Sequence, residues 1–105
     1  MATDGLIRIL FHQDFDTISF SDFLRKQGIH TLIYVGIASN MCVIGRPTGM
    51  VPMLHNGFRL FFIPQASAAV EFRETWATGA IHSATTIIIS QSIAELIDLN
   101  EFLSL

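Results

Sequence analysis

The sequence predicts an α/β fold in which a doubly wound parallel sheet carries helices on both faces. Continuous apolar runs of strand length recur along the chain, and segments with helical spacing separate them. Strands that alternate with helices build a parallel sheet, and uninterrupted apolar strands suit a sheet that is covered on both faces. The 105 residues are enough for a single domain, 1–105, with one core.

The composition favours an apolar protein that associates with itself. Half of the residues are hydrophobic and 14% are charged, which indicates a large buried fraction, an oligomer interface or a missing neighbour, and we expect a homo-oligomer. The net charge of −3 gives no reason to expect nucleic acid or an anionic membrane as a partner. No apolar run reaches the roughly 18 residues that a membrane span needs. The single cysteine excludes an internal disulfide, which fits a cytoplasmic location.

The first predicted elements are a strand over 6–11 and a helix over 19–27. Ser19 and Asp22 have the spacing of a capping box, which marks the start of the helix. Gly28 is the expected residue just beyond its end.

The later elements follow from apolar runs and from helix stop signals. A helix should begin at Asn40, break near Pro47 and stop before Asn56-Gly57. Strands are predicted over 31–37, 58–63 and 85–89, and further helices over 70–82 and 93–97. The side chains predicted to pack in the core are those of Met50, Met53, Phe61, Phe62 and Trp76.

One stretch, Gly-Ile-Ala-Ser-Asn-Met-Cys-Val over 36–43, contains the only cysteine of the chain. Ser39 is placed to cap the following helix, with Cys42 in its first turn. Unpaired N–H groups and the helix dipole favour an anion there, so the thiol should be reactive. The alternative is that Cys42 is a small buried hydrophobic residue, as many free cysteines are.

This stretch resembles the nucleophile motif of the isochorismatase-like cysteine hydrolases, a family that includes nicotinamidases and N-carbamoyl amide hydrolases. The resemblance extends upstream through Leu24-Arg25 and Gly28-Ile29, and downstream through Asn56-Gly57-Phe58. It covers roughly residues 15 to 90. It supports the doubly wound fold and implies that Cys42 is the nucleophile.

The resemblance also implies a mechanism. A thiolate attacks an amide or related carbon, backbone N–H groups of Ala38 and Cys42 stabilise the oxyanion, and water releases the product. The family has a cis peptide before the first donor, here between Ile37 and Ala38. An ordinary trans turn is the alternative, since a non-proline cis bond costs roughly 3 kcal/mol.

Two catalytic partners of the family, an Asp and a Lys, have no clear match in this chain. The lysine position falls near 9–12, where His12 is a possible replacement or simply a surface residue. The chain is therefore expected to correspond to the C-terminal part of the family domain. Asn40 and Arg46 flank the nucleophile and either touch substrate or serve as local surface and hydrogen-bonding groups. No metal ion and no other cofactor is expected.

The sequence leaves two functions open for this chain. The first is a cysteine hydrolase that acts on a small amide or related C–N substrate and is incomplete in this chain. The second is a non-catalytic fragment or degenerate member that keeps only the fold and an oligomer interface. A nucleotide-binding module is a weaker interpretation, because no glycine-rich phosphate loop follows a predicted strand.

Overall fold

A small parallel sheet organises the chain in a computed structural model that describes residues 16–104. Its strands are β1 (Thr31–Tyr34), β2 (Arg59–Phe62) and β3 (Glu95–Leu96), in the order β1-β2-β3. Leu32 lies opposite Leu60 in the pairing of β1 with β2. The predicted parallel pairing of these two strands is confirmed. The predicted strand over 6–11 lies outside the described residues.

Helix α1 (Thr17–Lys26) precedes β1 and begins earlier than the capping box predicted. Asp16 is the N-cap, and its carboxylate accepts a hydrogen bond of 2.7 Å from the Ser19 N–H. The prediction that Ser19 caps the helix is therefore wrong, because the helix begins at Thr17 and Ser19 lies inside it as the third residue. Gly28 has φ +74°, which confirms the predicted stop, since glycine adopts this conformation without steric cost.

The connection from β1 to β2 contains two short helices. They are α2 (Cys42–Gly45) and α3 (Met50–His55), separated around Pro47 as predicted. The first of them begins two residues later than the predicted start at Asn40. Asn56 ends α3 and Gly57 follows with φ +90°, as the stop signal predicted.

The connection from β2 to β3 differs most from the predictions. A 3₁₀ turn (Pro64–Ala66) follows β2, and hydrogen-bonded turns occupy much of 72–79. The long helix α4 (Ala80–Ser92) comes next, and α5 (Leu99–Leu103) follows β3. The predicted helix over 70–82, strand over 85–89 and helix over 93–97 are all wrong.

Helix α4 contains the β-branched run that was predicted to be a strand. Gly79, with φ +64°, turns the chain into the helix. Both carboxylate oxygens of Glu71 accept from the first turn, at 3.0 Å from Ile81 N and 2.8 Å from His82 N. The helix then buries Thr85 and Ile89, which lie one turn apart on the same face. This capping and packing outweigh the weak strand preference of the run.

Strand β3 takes the place of the predicted terminal helix over 93–97. Leu96 lies opposite Phe62, and the Ile97 N–H donates to the Phe62 carbonyl at 3.0 Å. A five-residue helix has a high nucleation cost, whereas pairing with β2 satisfies the backbone at once.

The core lies between the sheet, α1, α3 and α4. Met50, Met53 and Phe62 are fully buried, as predicted. Trp76 is 78% exposed because the turns around it do not pack it against the core, so its predicted core position is wrong. Phe61 is half-buried and lies 4.8 Å below the Arg59 guanidinium. The buried cluster consists of Leu24, Met50, Met53, Phe58, Leu60, Phe62, Ile89 and Ala94.

The described helices are short, and the longest, α4, has 13 residues. Within 16–104, none of them has both the length and the apolar character that a membrane crossing requires.

Candidate functional site

The candidate site is a cavity of about 180 Å³ beyond the carboxyl end of β1. In parallel sheets this is the edge where ligands bind. Residues from the end of β1, from α2 and from the turn before α3 form its walls. We call it the Cys42 cavity, and its main lining residues are Tyr34, Val35, Cys42, Val43, Arg46 and Thr48.

Two glycines permit the close packing around this cavity. A Cβ added at Gly36 would lie 2.5 Å from Cγ2 of Val43, so only glycine lets the loop after β1 approach α2 without a shift. A Cβ added at Gly49 would lie 2.9 Å from three backbone carbonyl oxygens, those of Val43, Ile44 and Arg46. The turn between α2 and α3 therefore closes tightly onto its own backbone.

Residues 67–70, which we call the brace, form hydrogen bonds to the loop after β1 although they lie about 30 residues further along the chain. Ala68 donates to the Gly36 carbonyl and accepts from the Ser39 N–H, both at 2.9 Å. Asn40 binds the Val70 backbone twice, accepting at 2.8 Å and donating at 3.3 Å. These hydrogen bonds hold the loop to the brace and give partners to backbone groups that would otherwise lack them.

Tyr34 closes the inner end of the cavity. Its hydroxyl donates to the Thr48 carbonyl at 2.7 Å, which joins the end of β1 to the turn before α3. Burial raises the pKa of Tyr34 well above its ordinary value of 10.0, because desolvation disfavours the charged phenolate. Tyr34 therefore remains neutral and adds no negative charge to the cavity.

Cys42 is exposed at the mouth of the cavity, so its interpretation as a buried hydrophobic residue is wrong. It is the first residue of α2, as expected from its predicted first-turn position. Two details differ from the prediction. Ser39 does not cap the helix: it is fully buried, and its hydroxyl has no partner in the described part of the chain. The helix has only four residues, so few peptide dipoles add up near the thiol.

The two backbone N–H groups proposed as oxyanion donors are free of partners. Among residues 16–104, neither Ala38 N nor Cys42 N donates a hydrogen bond. The peptide bond between Ile37 and Ala38 is trans, whereas the resemblance implied a cis bond. Trans is the lower-energy form for a residue other than proline.

The two flanking residues have different positions. The Asn40 side chain is held by the Val70 backbone, which favours its interpretation as a local hydrogen-bonding group. Arg46 lines the cavity beside Cys42, within reach of a bound molecule.

The remaining candidates are His12, the lysine position and a metal site. His12 lies outside the described residues, as do the positions near 9–12 where the lysine was sought. Within the described part of the chain, no three His, Cys, Asp or Glu side chains are grouped to hold a metal ion.

Tyr34, Thr48 and the brace were not among the site residues that the sequence predicts. The signal for Tyr34 was a phenol at the end of an otherwise apolar strand, since a buried hydroxyl needs a partner. No local sequence pattern predicts the role of the brace, because it is separated by about 30 residues from the loop that it contacts.

The described residues thus define an α/β chain with a three-stranded parallel sheet and a cysteine-bearing cavity at the carboxyl end of β1. The chain matches no family model, no curated protein and no solved structure.

Proposed function

We propose that this chain is a hydrolase of the isochorismatase-like kind, with Cys42 as the nucleophile that attacks a small amide or related C–N substrate. The proposal includes a doubly wound arrangement of the complete sheet. One observation carries it: an exposed thiol opens into a cavity of about 180 Å³ at the carboxyl end of a parallel strand. The sequence motif over 36–43 supports the same assignment.

The free backbone donors support the proposed chemistry. The Cys42 sulfur attacks the amide carbon, and the carbonyl oxygen becomes an oxyanion that the N–H groups of Ala38 and Cys42 stabilise. The C–N bond then breaks, and the nitrogen takes the thiol proton and leaves as ammonia or an amine. Water attacks the resulting thioester, which releases a carboxylic acid and restores the thiol.

The residues that line this cavity limit the expected rate of amide hydrolysis. Among residues 16–104, no carboxylate and no lysine lines the cavity, so no described residue there is suited to take the thiol proton and return it to the leaving group. In triad enzymes, loss of one such partner costs about 10⁴ to 10⁶ in rate. We therefore expect this chain alone to turn over very slowly.

Ammonia release from a panel of small amides tests the proposal. We expect slow release by the wild-type chain, and none above background with Cys42→Ala. No second thiol complicates the readout, because Cys42 is the only cysteine in the chain. Release that is unchanged by Cys42→Ala would exclude the proposed nucleophile.

A second candidate function is a non-catalytic chain that keeps the fold and an interface. The observation that favours it is an apolar groove of about 1050 Å³ beside β1, far larger than the Cys42 cavity. Leu32, Ile33 and Leu99 are among its lining residues. An interface would account for this surface without any chemistry at Cys42.

A further inference from the structure

We propose that the Cys42 cavity selects a small molecule that carries a carboxylate, and that Arg46 pairs with this group. The proposal rests on the proposed function for the identity of the reacting bond, an amide. The binding of the anion itself does not require turnover.

Arg46 is held next to Cys42 by the backbone of α2. Its N–H donates to the Cys42 carbonyl at 3.2 Å, so the two residues are one helical turn apart. Side chains four residues apart on a helix are neighbours, with Cβ atoms about 5–6 Å apart. Both side chains line the same cavity. A molecule that fills this cavity can therefore contact both residues.

The charge of the cavity favours an anion. Among the residues that the structure describes, Arg46 is the one charged residue that lines it, and no described carboxylate lies there to neutralise it. Two other arginines of the described chain are engaged: Arg25 donates to the Asn56 carbonyl and Arg59 pairs with Glu95. The Arg46 guanidinium has no such partner within 16–104. Its planar set of donors matches the two oxygens of a carboxylate.

The volume of the cavity limits the size of the molecule. A cavity of about 150 Å³ in another protein holds benzene, so about 180 Å³ holds roughly six to eight non-hydrogen atoms. Succinamate, a short chain with an amide at one end and a carboxylate at the other, is of this size. The substrate class that fits is therefore a short amide of this type.

Alkylation of Cys42 by two matched reagents tests the anion preference. Iodoacetate carries a carboxylate and iodoacetamide is neutral, and with either reagent the sulfur forms a C–S bond while iodide leaves. The ratio of the two rates cancels any change in the thiolate fraction, which affects both reactions equally. The ratio is measured for the wild-type chain, Arg46→Gln and the control Arg73→Gln. The control removes the same charge from an arginine that does not line the cavity.

We expect the iodoacetate-to-iodoacetamide ratio to fall about fivefold to tenfold in Arg46→Gln and to stay at the wild-type value in Arg73→Gln. Succinamate should protect Cys42 of the wild-type chain from iodoacetamide better than neutral succinamide does, and Arg46→Gln should remove this difference. Equal ratios in all three proteins would overturn the proposal.

The outcomes separate this proposal from the proposed function. Equal ratios together with Cys42-dependent ammonia release would reject the anion preference and keep the hydrolase. A ratio that depends on Arg46, without ammonia release from any amide, would keep the anion site and reject the hydrolase.

Discussion

At the scale of the residue, Glu71 shows how one side chain determines where a helix begins. Its two oxygens accept from the N–H groups of Ile81 and His82, in the first turn of α4. Partial desolvation acts to raise its pKa, but the nearby Thr75 hydroxyl and the hydrogen bonds from the His82 and Ile81 N–H groups hold the pKa below its ordinary value of 4.5. The charged form of Glu71 therefore stabilises the folded chain.

This assignment predicts a pH-dependent effect of Glu71→Gln. Because the folded pKa lies below the unfolded one, the stabilisation is present above about pH 4.5 and is lost as the pH falls through the folded pKa. Glu71→Gln should lower Tm at neutral pH, and the difference from wild type should shrink as the pH falls below about 4.5. Thermal unfolding followed by circular dichroism measures both.

Glu74→Gln is the matched control, since Glu74 is an exposed acid of the same turn region without a hydrogen bond in the described chain. The Tm of Glu74→Gln should stay close to the wild-type value at every pH. A Glu71→Gln deficit in Tm that stays constant as the pH falls well below 4.5 would contradict the role of the charged carboxylate.

At the scale of the element, the turn between α2 and α3 sets the shape of the Cys42 cavity. Gly49→Ala would press a methyl group against three carbonyl oxygens at 2.9 Å. Such overpacking costs about 1–3 kcal/mol, so we expect a loss of stability of that size in urea unfolding. Gly45→Ala is the control, because a Cβ there meets nothing within 4 Å. It should be neutral or slightly stabilising, and equal stability of the two variants would contradict this packing.

The same scale shows what the sequence can predict. Strand β1, the break at Pro47 and the stop at Asn56-Gly57 are predictable because their signals are local: an apolar run, a missing N–H and a glycine. The cysteine position is predictable for the same reason. Helix α4 is not, because its cap, Glu71, lies about ten residues upstream. The brace is not predictable either, since its partners are joined only by the folded chain.

At the scale of the whole molecule, an exposed apolar strip runs along and beyond β1. Ile33, Val35 and Ile37 are 41%, 50% and 85% exposed. Strand β1 is also at the edge of the described sheet, where backbone groups can pair with another strand. We expect self-association at tens of micromolar, because burying this strip removes apolar surface from water.

Light scattering of two variants tests whether β1 forms the contact between associated chains. Ile33→Lys places a charge on the edge strand and should shift the chain toward an 11.7 kDa monomer. Ile88→Lys is the control, since Ile88 is 58% exposed on α4, away from β1. It should leave the association unchanged. A wild-type chain that is already monodisperse at 11.7 kDa would contradict the prediction.

The covalent state of Cys42 after incubation with an amide shows whether its sulfur is the nucleophile. The wild-type chain is incubated with succinamate, quenched in acid and measured by intact-mass spectrometry, with the modified peptide then sequenced. We expect one acyl group on a detectable fraction of the chains, located on Cys42 and absent from Cys42→Ala, with loss of ammonia from the amide. An unmodified Cys42 after incubation with succinamate and with neutral amides, together with no Cys42-dependent ammonia release, in a chain whose thiol still reacts with iodoacetamide, would contradict it.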